Sequence, residues 1–204
     1  MYVPRNFAET NREPMFALIE AYSFGLLISN TADGPYATHL PWLLDRERGE
    51  NGVLLAHMAR ANPHWQQIDR ETPVLVVFQG AHGYVSPSWY DDPNLVPTWN
   101  YMAVHARGRL RMLEGLEERR SAVQRLTVTA ESHFSKPWQL DFTSGGRERM
   151  LEQIVAFEVE VSELIGKTKL NQNRSAKDRA GVIANIADDN PTLAEVMRAV
   201  DAPG

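Results

Sequence analysis

The chain predicts an α+β protein built on an antiparallel sheet that curls into a barrel with helices outside. Three observations carry this reading. Residues 24–58 are apolar runs separated by short polar turns, the signature of a β-meander. Residues 74–78 are strongly β-rich, and residues 157–161 alternate strictly between apolar and charged side chains. Helical patterns stand at 11–21, 116–131 and 175–200.

The elements follow in chain order. Thr10-Asn11-Arg12-Glu13 has the form of a capping box, and Met15, Leu18, Ile19 and Tyr22 then recur at helical spacing. Residues 24–29 and 35–44 read as strands around a turn ending in Asp33-Gly34. A polar turn over 45–52 leads to a strand at 53–58. Pro63 suits the first position of a short helix reaching about residue 70. After the strand at 74–78, residues 80–83 read as a turn into a further strand at 84–86. Three prolines and two aspartates make 87–98 irregular. A long strand over 99–113 carries Gly108 as a bend or bulge. Helices at 116–131 and 147–156 flank a weakly patterned stretch, and the strand at 157–161 follows. Helices at 175–187 and 191–200 close the chain, the second with Asn190 as N-cap and Pro191 at its first position. Six or seven strands result. With no linker or internal repeat, residues 1–204 read as one domain with a C-terminal helical extension over about 175–201.

Composition excludes several functions. At 204 residues, 43% of them hydrophobic, the chain is long enough to bury a sizeable core. It has no cysteine, which removes disulfides, thiolate metal sites and cysteine nucleophiles. With 21 basic and 26 acidic side chains the net charge is −5, so any grip on DNA has to be local. No uncharged apolar run has spanning length and the first residues do not resemble a signal peptide, so the expectation is a cytoplasmic protein without a membrane partner. The six histidines show no ligand spacing, so no metal site is expected, and no Walker loop, GxSxG elbow or GxGxxG fingerprint follows a strand.

Three segments bear chemistry. His57-Met58-Ala59-Arg60-Ala61-Asn62-Pro63-His64-Trp65 joins a strand end, a fixed cation and a helix start, which suits a phosphate ester. The alternative is a surface arginine beside a turn asparagine. Ser86-Pro87-Ser88-Trp89-Tyr90 and Pro97-Thr98-Trp99-Asn100-Tyr101 concentrate aromatic rings, for stacking on a planar ligand or for lining a loop or dimer contact. Lys167-Thr168-Lys169-Leu170-Asn171-Gln172-Asn173-Arg174 is a dense set of donors after a strand, fit for an anion or for solvent.

Met1-Tyr2-Val3-Pro4 with Phe7, Ala59-Arg60-Ala61-Asn62-Pro63, Val76-Val77-Phe78-Gln79-Gly80, Tyr84-Val85-Ser86-Pro87-Ser88-Trp89-Tyr90, Val96-Pro97-Thr98-Trp99-Asn100-Tyr101 and Lys169-Leu170-Asn171-Gln172-Asn173-Arg174 together resemble the PaiB family, whose members are named FMN-binding negative transcriptional regulators. The likeness spans nearly the whole chain. One departure is Asn171, where the family usually has Ser. The resemblance implies an FMN-binding split barrel related to the pyridoxamine-phosphate oxidases, working as a homodimer with flavin sites between subunits. It makes Arg60 the phosphate ligand, with His57 and Asn62 beside it. It runs the strand of Thr38, His39, Leu40 and Pro41 along the flavin ring. Gln79, Trp99, Asn100 and Tyr101 form a second tier of cofactor residues, and Lys169 and Gln172 a third.

The expected function is a flavin-binding negative regulator or flavin-dependent sensor. The alternatives are a small flavin-dependent oxidoreductase, for which the cofactor supplies the redox chemistry, and a haem-binding split barrel with His39, His57 or His105 as axial ligand. No recognition helix is legible. The C-terminal pair holds Lys177, Arg179 and Arg198 but also Asp178, Asp188, Asp189, Glu195 and Asp201, so a DNA contact is expected either to be absent or to use a local patch at Lys167, Lys169 and Arg174.

Overall fold

The computed structural model describes residues 1–200; Asp201, at the end of the expected C-terminal extension, lies outside the described residues. The strands are β1 (Ala8–Glu9), β2 (Phe24–Thr31), β3 (Gly34–Pro41), β4 (Leu43–Asp45), β5 (Val53–Ala59), β6 (Val74–Val85), β7 (Thr98–Leu113) and β8 (Ile154–Lys169). The helices are α1 (Arg12–Ala21), α2 (His64–Gln67), α3 (Leu116–Glu131), α4 (Arg147–Met150), α5 (Ala176–Ile186) and α6 (Pro191–Ala199). The strands make one sheet in the order β3-β2-β6-β7-β8-β5-β4, with β1 paired to β8 off this path.

Several boundaries differ from the sequence expectation. The run at 35–44 breaks into β3 and β4 because Trp42 turns inward: its backbone N–H donates to the Ser23 carbonyl at 2.9 Å, and its ring packs edge-on to Phe157. Asn11 stands before α1, its side chain accepting from Glu13 N–H at 3.1 Å, so the cap lies one residue beyond Thr10. The helix expected at 63–70 is the single turn α2, with Pro63 as its N-cap. Residues 80–83 do not turn, and β6 runs unbroken to Val85. The helix expected at 147–156 stops early, because Ile154, Val155 and Ala156 pair with Ala59, Met58 and His57 of β5. Long-range pairing outweighs local helix propensity there. β8 also continues past 161 to Lys169, so Lys167 and Lys169 belong to the strand.

The chain forms two compact units, and β6, β7 and β8 contribute residues to both. The larger unit holds residues 16–78 and 105–164. Within it β3, terminal in the sheet order, also packs on β5 near the other end, so its strands curl back on themselves. Helix α3 covers β5 and β4, closing a cluster of Leu55, Leu113, Ala122 and Ala156. Glu158 of β8 is 6% exposed and accepts from Arg48 Nη1 and Nη2 at 2.5 and 3.0 Å and from Arg111 Nη2 at 2.8 Å. The Arg48 hydrogen bonds, with help from Arg111, hold its carboxyl below the ordinary carboxylate range.

The smaller unit holds residues 1–15, 79–104 and the described residues from Ile165 on. Its core joins Val85, Tyr90 and Leu170 to Val182, Ile186, Leu193 and Met197 of α5 and α6. Gly83 gives α6 its room: a Cβ there would lie 2.7 Å from Leu193.

Gly108 is a close-approach residue in β7. A Cβ at this position would stand 2.1 Å from the Glu160 carbonyl oxygen. We therefore expect Gly108→Ala to force β7 off β8 and lower stability by roughly 2 kcal/mol or more, read from the midpoint of urea unfolding. An unchanged midpoint would show that the two strands separate at little cost.

Candidate functional site

In the larger unit the turn from β5 into α2 is organised by one imidazole. His64 is 0% exposed. Its Nε2 lies 2.9 Å from Ser29 Oγ on β2, and its Nδ1 lies 2.8 Å from Thr38 Oγ1 on β3. Asn62 completes the set, accepting from the His64 backbone N–H at 3.0 Å and donating from Nδ2 to Thr38 Oγ1 at 3.3 Å. These contacts fit a neutral ring carrying its proton on Nε2, with the Thr38 hydroxyl donating to Nδ1. Burial pushes the imidazole below its ordinary pKa, in the same sense. Tyr36 packs over the ring at 4.6 Å between centroids.

Arg60 follows β5 and is exposed. Its Nε donates to the Glu152 carbonyl at 2.6 Å and its Nη2 to the Ile154 carbonyl at 2.9 Å. The guanidinium lies 5.9 Å from the Trp65 ring, whose Nε1–H donates to the Arg60 carbonyl. The cation is thus held in a fixed direction with Nη1 uncommitted. Arg60, Trp65, Arg70 and Arg119 line a cavity of about 240 Å³. His57, on the same strand, is half-buried with Nδ1 lacking a hydrogen-bond partner, and burial lowers its pKa. His39 and Pro41 are exposed on β3, His39 stacked on Phe24 at 6.0 Å. The backbone N–H of His64, at the start of α2, is taken by Asn62 Oδ1, so this amide is not open to an anion.

Six of the expected cofactor residues (Thr38, His39, Pro41, His57, Arg60 and Asn62) fall in this unit, and six in the other. Hydrogen bonds join Thr38 to Asn62 directly and through His64. Sequence reasoning did not assign a role to His64; the available signal was its place two residues after Asn62, where an asparagine side chain reaches the backbone N–H.

In the smaller unit Gln79 is exposed. Trp99 is 55% exposed and meets Tyr84 edge-on. Asn100 is fully buried, its Nδ2 on Met197 Sδ at 3.4 Å and its Oδ1 without a partner. Tyr101 lies under the Lys167 ammonium at 5.0 Å. Lys169 donates to Thr98 Oγ1 and to the Trp99 carbonyl. Gln172 is spent on its own strand end, accepting from Leu170 N–H and donating to the Thr168 carbonyl. Asn171 adopts φ 62°, a left-handed conformation that asparagine tolerates well, and donates to the Tyr90 hydroxyl at 3.1 Å. That accounts for asparagine at this position. Among the described residues no group of three or more His, Cys, Asp or Glu side chains is placed to hold a metal, and no helix is long and apolar enough to cross a membrane.

Residues 1–163 match the family described as "Putative FMN-binding domain". The protease synthase and sporulation protein PAI 2 of Bacillus subtilis is 37% identical over 205 residues, covering 97% of this chain and 96% of that protein. The flavocytochrome Anf3 from Azotobacter vinelandii superposes with a TM-score of 0.60 at 13% identity, over 82% of this chain and 72% of that one. The FAD and heme binding protein from Mycobacterium smegmatis gives 0.59 at 14%, over 79% and 73%. The two structures show the fold alone, an α+β antiparallel split barrel.

The buried imidazole makes stability depend on pH. With its folded pKa depressed, His64 contributes stability that is full above the unfolded value of about 6.5 and is lost as pH falls through the folded value. Thermal melts of the native protein should therefore drop from pH 7.5 to pH 5, and those of His64→Phe should drop less. Parallel slopes would mean that His64 is protonated in place.

Proposed function

The chain belongs to the PaiB family of FMN-binding-domain proteins, and from that premise we propose that it holds FMN on the β3 strand and the β5–α2 turn of the larger unit. The observation that carries this reading is the coupling of those two segments through His64, Thr38 and Asn62, with Arg60 fixed beside them. The residues suit the cofactor. β3 ends the sheet order, so the backbone groups facing away from β2 are available to the polar edge of an isoalloxazine ring. His57 Nδ1 is a buried polar atom in want of a partner. Arg60 Nη1 supplies charge-assisted donors for the phosphate. When bound, FMN supplies redox chemistry; the protein's own groups bind and orient it.

The regulatory role suggested by the family is part of this reading: a homodimeric flavin-dependent sensor with flavin sites between subunits, repressing without a tight duplex contact of its own. The net charge of −5 favours that form of regulation. A haem or oxidoreductase function would appear in the same sample. The absorbance spectrum of protein as purified should show flavin bands; a Soret band instead, or steady NAD(P)H consumption, would replace the sensor reading.

Two further outcomes follow from the site. Arg60→Ala should weaken FMN binding by about 1.5–3 kcal/mol, while riboflavin, which lacks the phosphate, binds as before; fluorescence titration measures both. Equal losses for the two flavins would make Arg60 a structural clamp on residues 152–154. Light scattering at micromolar concentration should give a dimer, and a monomer would remove the intersubunit flavin sites.

A further inference from the structure

Three cations of the smaller unit, Lys167 buried and Lys169 and Arg174 half-buried, rest on aromatic rings without an ion-paired carboxylate. Lys167 and Lys169 are two residues apart on β8, and Arg174 follows just beyond the strand. Lys167 is only 8% exposed, yet its ammonium makes a single hydrogen bond, to the Tyr2 carbonyl at 3.1 Å. The aromatic rings of Tyr101 and Tyr2 lie 5.0 and 5.8 Å away. Lys169 uses two donors, on Thr98 Oγ1 and the Trp99 carbonyl, with the Phe7 ring at 5.9 Å. The Arg174 guanidinium lies 5.9 Å from the Tyr90 ring. Among the described residues no carboxylate forms an ion pair with any of the three, although the Asp178 carboxylate lies within electrostatic reach of Arg174.

A buried cation is normally paired, because aromatic faces and one carbonyl replace little of the lost hydration. The three sit close enough that Lys167 and Arg174, adding to burial, depress the Lys169 pKa. Two of Lys167's three donors, one of Lys169's and the guanidinium fork of Arg174 remain for a ligand. We propose that Lys167, Lys169 and Arg174 form a binding site for a small oxyanion, a carboxylate or a phosphate, distinct from the flavin site of the larger unit. The depth of Lys167 selects a small molecule over a duplex, whose phosphates reach exposed cations.

The test uses the flavin-loaded full-length protein, melted in sodium phosphate, sodium succinate and sodium chloride at matched ionic strength. Phosphate or succinate should raise the midpoint beyond chloride, in a concentration-dependent way. Lys167→Met and Arg174→Gln should each weaken that anion about tenfold or more, and Lys167→Arg should restore it. In chloride alone Lys167→Met should melt no lower than the native protein, since an unpaired buried charge has been removed; a merely structural lysine would melt lower. Flavin absorbance per chain should stay constant throughout. The inference is overturned if neither anion exceeds chloride, or if the variants keep the full shift. It also fails if they shed flavin, or if a short DNA duplex binds more tightly than either anion. Repeating the melts on flavin-free protein separates this site from the FMN reading, because the anion shift does not require flavin.

Discussion

A neutral imidazole with no access to water is the constraint around which the larger unit is arranged. Once buried, both ring nitrogens of His64 need partners, and an unmet one costs on the order of 1–3 kcal/mol. Ser29 and Thr38 meet that need from two neighbouring strands, and Asn62 holds the ring's own backbone N–H. The geometry of the β5–α2 turn therefore depends on side chains of β2 and β3. Arg60, two residues before Asn62, inherits its position from the same turn and from the carbonyls of residues 152 and 154. A cation tied in this way loses little entropy when it meets a phosphate.

The rest of that unit keeps the strands in register. Glu158 is shared between Arg48 and Arg111, so one buried carboxylate connects the β4–β5 turn, β7 and β8. Both arginines remain half-exposed, which tempers the desolvation cost of the pairing. Gly108 adds a steric condition, since only the absence of a Cβ lets β7 lie this close to β8. Polar anchoring at one end of the strands and close backbone contact along them tie β7 to β8.

The smaller unit handles charge differently. Asp178, capped by Ser175, accepts backbone N–H groups of Asp91 and Asp92, which anchors the aromatic loop to α5. Arg179 donates from Nη2 to the carbonyls of Met197 and Val200, while its Nη1 is buried without a partner. Lys167, Lys169 and Arg174 of the same unit rest on aromatic rings, and among the described residues none of them forms an ion pair with a carboxylate.

The sequence by itself determined the class of fold, the main strands and helices, and the family, because periodicity, turn residues and contiguous motifs are local properties. The 116–131 helix and the Asn190 cap of α6 emerged as read. It also offered residues 57–65 as a candidate for a phosphate ester, beside the alternative of a surface arginine and a turn asparagine. Only the tertiary structure decided that residues 154–156 are strand, since β5 supplies their hydrogen bonds from about a hundred residues upstream. It likewise decided that β6 runs through Gly80 and Gly83, the second of which leaves room for Leu193 of α6. The role of His64 was invisible for the same reason: Ser29 and Thr38 lie 35 and 26 residues away in the chain. A buried polar group takes its meaning from partners the fold brings to it, and spacing in the sequence does not record them.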